Sequence, residues 1–265
     1  MTEFKLTGIY IYPIKSAAGI ALETAQVQAR GFQYDRQWMV VDEAGKFMTQ
    51  RQFPRMALIR VRQSTEQLII EAPAQEPLSI PLNLNSGDRI SVEVWGDICD
   101  AIPLGETVEQ WFSEFLEMPC QLVYLPDNSL RPVNSRYATN NEQVSFADAF
   151  PFLLISEASL QDLNQRLDEP VPMNRFRPNL VISGCEAFAE DRWRSIRIGA
   201  IPFRVAKPCD RCVITTVDQN SGIRGKEPLQ TLAQYRRWDG KIWFGQNLIQ
   251  EQLGILKVGD YVEIG

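Results

Sequence analysis

Period-two alternation governs the start of the chain and leaves few folds open to it. In FKLTGIYIY, Phe4, Leu6, Gly8, Tyr10 and Tyr12 alternate with Lys5, Thr7, Ile9 and Ile11, as in a β-strand with both faces partly covered. The plan recurs. RQWMVVDEAGKFMTQRQ sets two strand-like runs around DEAGK, LIRVRQSTEQLIIEAP repeats the plan about a polar turn, and ISVEVWGD adds a further strand. Several short strands joined by tight turns favour a barrel or sandwich.

Residues 106 to 117, ETVEQWFSEFLE, depart from this pattern. Val108, Trp111, Phe112, Phe115 and Leu116 recur at helical spacing with acidic residues opposite and Pro119 beyond the end, which predicts one amphipathic helix packed on a core. PDNSLRPVNSRYATNNEQV, 126 to 144, is polar and aperiodic, so it reads as a linker or a long functional loop. A domain boundary is expected there, with one domain over 1–125 and a second over 126–265. In the second half FPFLLIS is a buried-looking run. Ser156 is a helix N-cap, and Leu160, Leu163 and Leu167 form a buried stripe behind it. NLVIS, RSIRIG, IPFRVA and CVITTV read as short strands, Lys226 to Trp238 begins a helix near Pro228, and LKVGDYVEI is a final strand.

The chain contains no histidine. That removes Ser-His-Asp and Cys-His devices and nearly all mononuclear zinc or iron catalytic sites. Chemistry must come from carboxylates, Lys, Tyr, Cys or a bound cofactor. A net charge of −6, without a block of consecutive Lys or Arg, argues against nucleic acid as a partner. The start MTEFKLTGIYIYPIKS lacks the features of a secretory signal, and no segment approaches the apolar length of a membrane span. The expectation is a cytosolic setting off the membrane, with the five cysteines reduced.

Two of those cysteines sit three apart in KPCDRCVITTVDQNSG. A structural zinc needs four ligands, and neither a second C-x-x-C nor a histidine is present. A thioredoxin-like pair belongs at a helix N-terminus, whereas this one leads into a run read as a strand. Both cysteines could be small hydrophobes at a turn. Lys207 and Arg211 flank them, however, and positive neighbours stabilise a thiolate. A metal held mainly by a cofactor needs only one protein sulfur. Such a cofactor would bring an anionic group, for which three places stand out: Lys15-Ser16 in a loop past the first strand, Arg36 in YDRQW, and Arg175 and Arg177 in NRFRPN. Each is also an ordinary surface or ion-pair motif taken alone. No P-loop or G-x-G-x-x-G is present.

PIKSAAG, DRQWMVVDEAGKFMTQRQFPRMALI, LLISEASLQDLNQRL, FRPNLVISG and CDRCVITTVDQNSG, then FGQN and LKVGDYV, follow in one order from about residue 4 onward. Together they resemble the MOSC family with its N-terminal β-barrel domain, and more narrowly the group of the mitochondrial amidoxime-reducing component and its bacterial relatives. The resemblance implies a mixed, mainly β (α+β) fold: an N-terminal β-barrel-like domain, then a β-barrel MOSC domain with a few packed helices. It implies a molybdenum cofactor (Mo-molybdopterin), with Cys212 completing the metal's coordination and Cys209 a neighbour. Lys15, Ser16, Arg36 and Arg177 fall on positions that hold the cofactor's phosphate and pterin in relatives, with Asn179 joining them. Molybdenum favours sulfur donors, which suits a site without histidine.

The implied reaction is reduction of N-hydroxylated substrates with electrons from a separate protein, ferredoxin-like or cytochrome b5-like, in a bacterial cytosol. The alternative is a cofactor carrier or sulfur-transfer protein without reductase activity, and a pyridoxal phosphate label also attaches generically to the family. The stretch FADAFP departs from the small polar residues expected there, so that loop would touch the cofactor through its backbone.

Overall fold

A computed structural model describes residues 3–84 and 87–265. Seven strands close into a barrel in the order Phe152–Ser156, Leu180–Ser183, Phe4–Ile11, Tyr261–Ile264, Ser195–Ile198, Ile201–Asp210 and Lys241–Gln250, the last pairing back onto the first. One pair, Phe152–Ser156 with Leu180–Ser183, is parallel, and the others are antiparallel. Leu6, Ile9, Phe152, Leu180, Ile196, Phe203 and Leu248 fill its core.

Trp38–Asp42, Cys120–Tyr124, Asp97–Pro103 and Ile90–Val94 form a separate four-stranded sheet, and Arg60–Gln63, Gln67–Glu71 and Leu78–Pro81 a three-stranded one. The helix Glu106–Leu116 covers a second core with the five apolar residues that its periodicity singles out, all buried. The fold is mainly β with a few packed helices, as the sequence predicts.

The first strand pairs with Leu180–Ser183 and Tyr261–Ile264, and Thr24–Gln28 pairs with Gly254–Lys257. A cut between residues 125 and 126 therefore does not separate the sheets: the N-terminal strands are built into the second half. No named helix or strand lies between Tyr124 and Phe152, yet Arg131, Val133, Val144 and Phe146 in that interval are buried. The segment is a packed loop laid along both halves.

Three local readings are corrected. FMTQRQ forms no strand and makes only the bridge of Phe47 to Val41. LKVGDYVEI is two strands, Gly254–Lys257 and Tyr261–Ile264, because the turn at Gly259 (φ 96°) sends the chain from one sheet to the other. VITT, Val213–Thr216, is a 3-10 turn. The Thr215 and Thr216 hydroxyls donate to the carbonyls three residues back, of Cys212 and Val213, at 3.0 and 2.8 Å, which overrides β-branched propensity. Ser156 does cap the helix Glu157–Asn164, its hydroxyl accepting from the Ser159 amide. Among the described residues no helix is long and apolar enough to cross a membrane.

Candidate functional site

Lys15, Ser16, Arg36, Arg177, Asn179 and Cys212 line one cleft, together with Arg51, Asp148, Cys209, Asp210 and Arg211, whereas Arg175 is buried away from it, donating to the Thr215 and Glu227 carbonyls at 2.8 and 3.0 Å. The first group arrives on the loop after Phe4–Ile11. Lys15 donates its amide to the Trp38 carbonyl at 2.8 Å, and a tight turn follows in which Ser16 takes a left-handed backbone (φ 68°). Gln50, fully buried, donates to the Ser16 carbonyl at 2.8 Å and pins that turn. Arg36 (φ 49°) and Arg177 (φ 57°) are left-handed as well. Non-glycine residues in that region carry strain of about 1–3 kcal/mol each, and such strain clusters at functional sites.

The ring of Tyr12 holds the two arginines. The Arg36 and Arg177 guanidinium carbons lie 4.3 and 4.2 Å from its centroid. Tyr12 is itself fixed by donating its hydroxyl to the Pro178 carbonyl at 3.1 Å. Arg36 is further set by Asp35, at 2.6 Å, and by the Asn179 Oδ1 at 3.1 Å. Asn179 also donates to the Tyr10 carbonyl at 3.1 Å, so its side chain is engaged in holding the arginine and the first strand. Burial pulls Arg177 down to about 10. The same burial pushes the Tyr12 hydroxyl well above the ordinary tyrosine range, against the lowering effect of the two arginines.

Lys15 is almost wholly buried, and burial lowers its ammonium to about 8 although Asp148 acts to raise it. Its Nζ donates to Asp148 Oδ1 at 2.5 Å and to the Phe146 carbonyl at 2.7 Å. Asp148 Oδ2 accepts from Arg51 at 3.2 Å, and Oδ1 also accepts from the Trp95 indole at 3.1 Å. Desolvation would raise the Asp148 carboxyl, but Lys15 and Arg51 outweigh it and hold it far below the usual range. FADAFP thus contributes a carboxylate as well as the Phe146 carbonyl, where backbone contact alone was expected. The loop is anchored by Arg131, which donates to the carbonyls of Ser145, Ala147 and Asp148. Sequence reasoning missed Arg51, Arg131 and Asp148. Arg51 lies in a run read as a strand, Arg131 and Asp148 lie outside periodic segments, and the only signal for Asp148 was the irregularity of FADAFP itself.

Cys209 and Cys212 are free thiols at the end of Ile201–Asp210, both half-buried. They differ in surroundings. Arg211 donates to Cys209 Sγ at 3.0 Å and to the Phe176 carbonyl at 2.7 Å. Burial nonetheless pushes the Cys209 thiol up, more than Arg211 lowers it, so the flanking cation does not make Cys209 a ready thiolate. Cys212 caps the 3-10 turn with its carbonyl accepting from the Thr215 amide and hydroxyl. The expectation that the pair leads into a strand is overturned by that turn. The objection it raised to a redox pair falls with it.

Among the described residues no three His, Cys, Asp or Glu side chains converge as a metal site. A metal here would take most of its ligands from a cofactor. The lining fits one: five cations face two carboxylates, with two thiols at the edge, and the Arg211 Nε is buried without a partner. Such a set suits an anionic ligand and a sulfur-seeking metal.

Residues 3–119 match the model of the MOSC N-terminal beta barrel domain and residues 141–263 that of the MOSC domain, which makes this a MOSC protein with both parts. Mitochondrial amidoxime-reducing component 1 of Mus musculus is 39% identical over 278 residues, 96% of this chain and 80% of the relative. The Homo sapiens protein of the same name is 36% identical over 96% of this chain and 81% of its own. Mitochondrial amidoxime reducing component 2 of Rattus norvegicus is 38% identical over the same shares. The chain belongs to the family of these amidoxime-reducing components. Among solved structures, the YUAD protein from Bacillus subtilis aligns with 100% of this chain and 98% of its own at 12% identity, with a TM-score of 0.46.

Proposed function

We propose that the chain is a molybdenum-cofactor-dependent reductase of N-hydroxylated compounds, amidoximes and hydroxylamines among them. Its electrons come from a separate carrier protein of ferredoxin-like or cytochrome b5-like kind. The observation that carries the assignment is the convergence of Cys212 with Lys15, Ser16, Arg36 and Arg177 in one cleft, from segments far apart in sequence. Its support from relatives is the name amidoxime-reducing component, borne by proteins 36–39% identical over nearly the whole chain.

When bound, the cofactor supplies two-electron removal of the N–O oxygen, chemistry that no side chain of this protein offers. The protein's part is positioning. Cys212 gives the thiolate that completes the metal's coordination. Lys15 and the two stacked arginines neutralise the phosphate, and Tyr12 prevents either guanidinium from swinging away. Phe150, Phe152, Leu153, Phe176 and Ile214 wall the cleft with apolar surface, which restricts water around the reacting bond and strengthens each charged contact. Cys209, held by Arg211, stands beside the site without a ligand role.

The test is expression in a host that makes the cofactor, followed by metal analysis and benzamidoxime reduction with a reduced viologen dye. About one molybdenum per chain with turnover to benzamidine is the expected result. Bound zinc with no molybdenum, or full loading with no reduction, would overturn the assignment.

A further inference from the structure

Asp148 presents a problem of charge. Its carboxylate occupies the cations that an incoming anion would need: Oδ1 faces Lys15 and the Trp95 indole, Oδ2 faces Arg51. The backbone beneath it is fixed, because Arg131 ties down the carbonyls of residues 145, 147 and 148. The side chain is not, being 57% exposed. It can turn into water while the loop stays in place.

We propose that Asp148 is a resident carboxylate that sets which anions the cleft accepts, yielding to a phosphate monoester dianion and excluding monoanions. The inference rests on assigning the cleft as a phosphate cradle. A monoanion offers Lys15 and Arg51 only the single charge that Asp148 already provides. It must also compete with a tethered group at high effective concentration. A dianion brings a second charge, and Arg36, Arg177 and Arg211 line the same cleft to receive it. The charged groups acting most on Lys15 are Asp148, Arg131 and Arg51, so once Asp148 turns away two cations dominate its surroundings and Asp210 is the carboxylate left in the cleft lining.

The full-length chain, made in a host without pterin synthesis, is titrated calorimetrically with phenyl phosphate and with benzenesulfonate, similar in shape but singly charged. Wild type is expected to favour phenyl phosphate by about tenfold or more, and Asp148→Asn to bring the two within about threefold by binding benzenesulfonate more tightly. An unchanged preference in Asp148→Asn overturns the role of Asp148 and leaves the cradle standing. No binding of either anion by either protein overturns the cradle, and the proposal with it. A second readout needs no change at Asp148. Phenyl phosphate should alter the tryptophan emission of wild type, through loss of the Trp95 hydrogen bond, and not that of Trp95→Phe. Binding without that difference shows that the carboxylate stays where it is.

Discussion

Replacing Arg131 with methionine keeps most of the side-chain volume and removes the guanidinium from a site where the residue is 2% exposed. Four hydrogen bonds go with it, to the carbonyls of Ser145, Ala147 and Asp148 at 2.7, 2.5 and 3.2 Å and to Asp97 Oδ2 at 2.9 Å. Asp97 is half exposed, so water replaces that partner and the ion pair counts for little. The Ser145 and Ala147 carbonyls belong to buried residues, and each loses a charge-assisted bond. An unsatisfied buried acceptor costs about 1–3 kcal/mol, so the pair gives roughly 2–6 kcal/mol. At about 2–4 °C per kcal/mol for a chain of this size, the melting temperature should fall by roughly 4–24 °C. Circular dichroism melts measure this, and phenyl phosphate titration shows whether the cleft survives below the melt. A fall under about 2 °C with unaltered binding would refute the claim that Arg131 anchors the loop.

Cys212→Ser should lower benzamidoxime reduction by roughly a hundredfold or more, while Cys209→Ser stays within a few-fold of wild type; equal losses would remove the distinction between the thiols. Because an anion needs charged Lys15, phenyl phosphate affinity should weaken as pH rises through about 8, and Lys15→Met should abolish both the dependence and most of the binding. Stability carries the opposite sign. The folded value of Lys15 lies below the ordinary 10.5, so between about 8 and 10.5 the unfolded chain holds more protons. Urea midpoints of wild type relative to Lys15→Met should therefore rise across that window. Phe112→Ala, at a fully buried position under the helix Glu106–Leu116, should cost about 3–5 kcal/mol in urea unfolding and leave phenyl phosphate affinity unchanged.

What the sequence made legible was local. The helix Glu106–Leu116 was readable to the identity of its buried side because five apolar residues at 3.6 spacing admit one interpretation. The hairpin Arg60–Gln63 with Gln67–Glu71 was readable because two strand-like runs flank a short polar turn. Closure of the barrel was not, since Lys5 pairs with Ser183 across most of the chain and alternation carries no information about partners. VITT misled because threonine hydroxyls bonding three residues back outweigh the strand preference of β-branched side chains. The cations and Cys212 were reachable through motif resemblance. Arg131 left no signal, and Asp148 only the irregularity of FADAFP, because their meaning lies in carbonyls and counter-charges that only the folded loop brings together.

The pairing of Phe4–Ile11 with Tyr261–Ile264 has a bearing on biosynthesis. Lys15 and Tyr12 follow a strand whose Ile9–Ile11 end pairs at once with the nearby Ile20–Leu22, yet Phe4 and Lys5 on the same edge have no neighbour until the region around Tyr261 has been made. Contacts of such long range are slow to form. The cradle is thus a late product of folding, because Lys15, Arg177 and Cys212 face one another only after all three widely separated segments have been made.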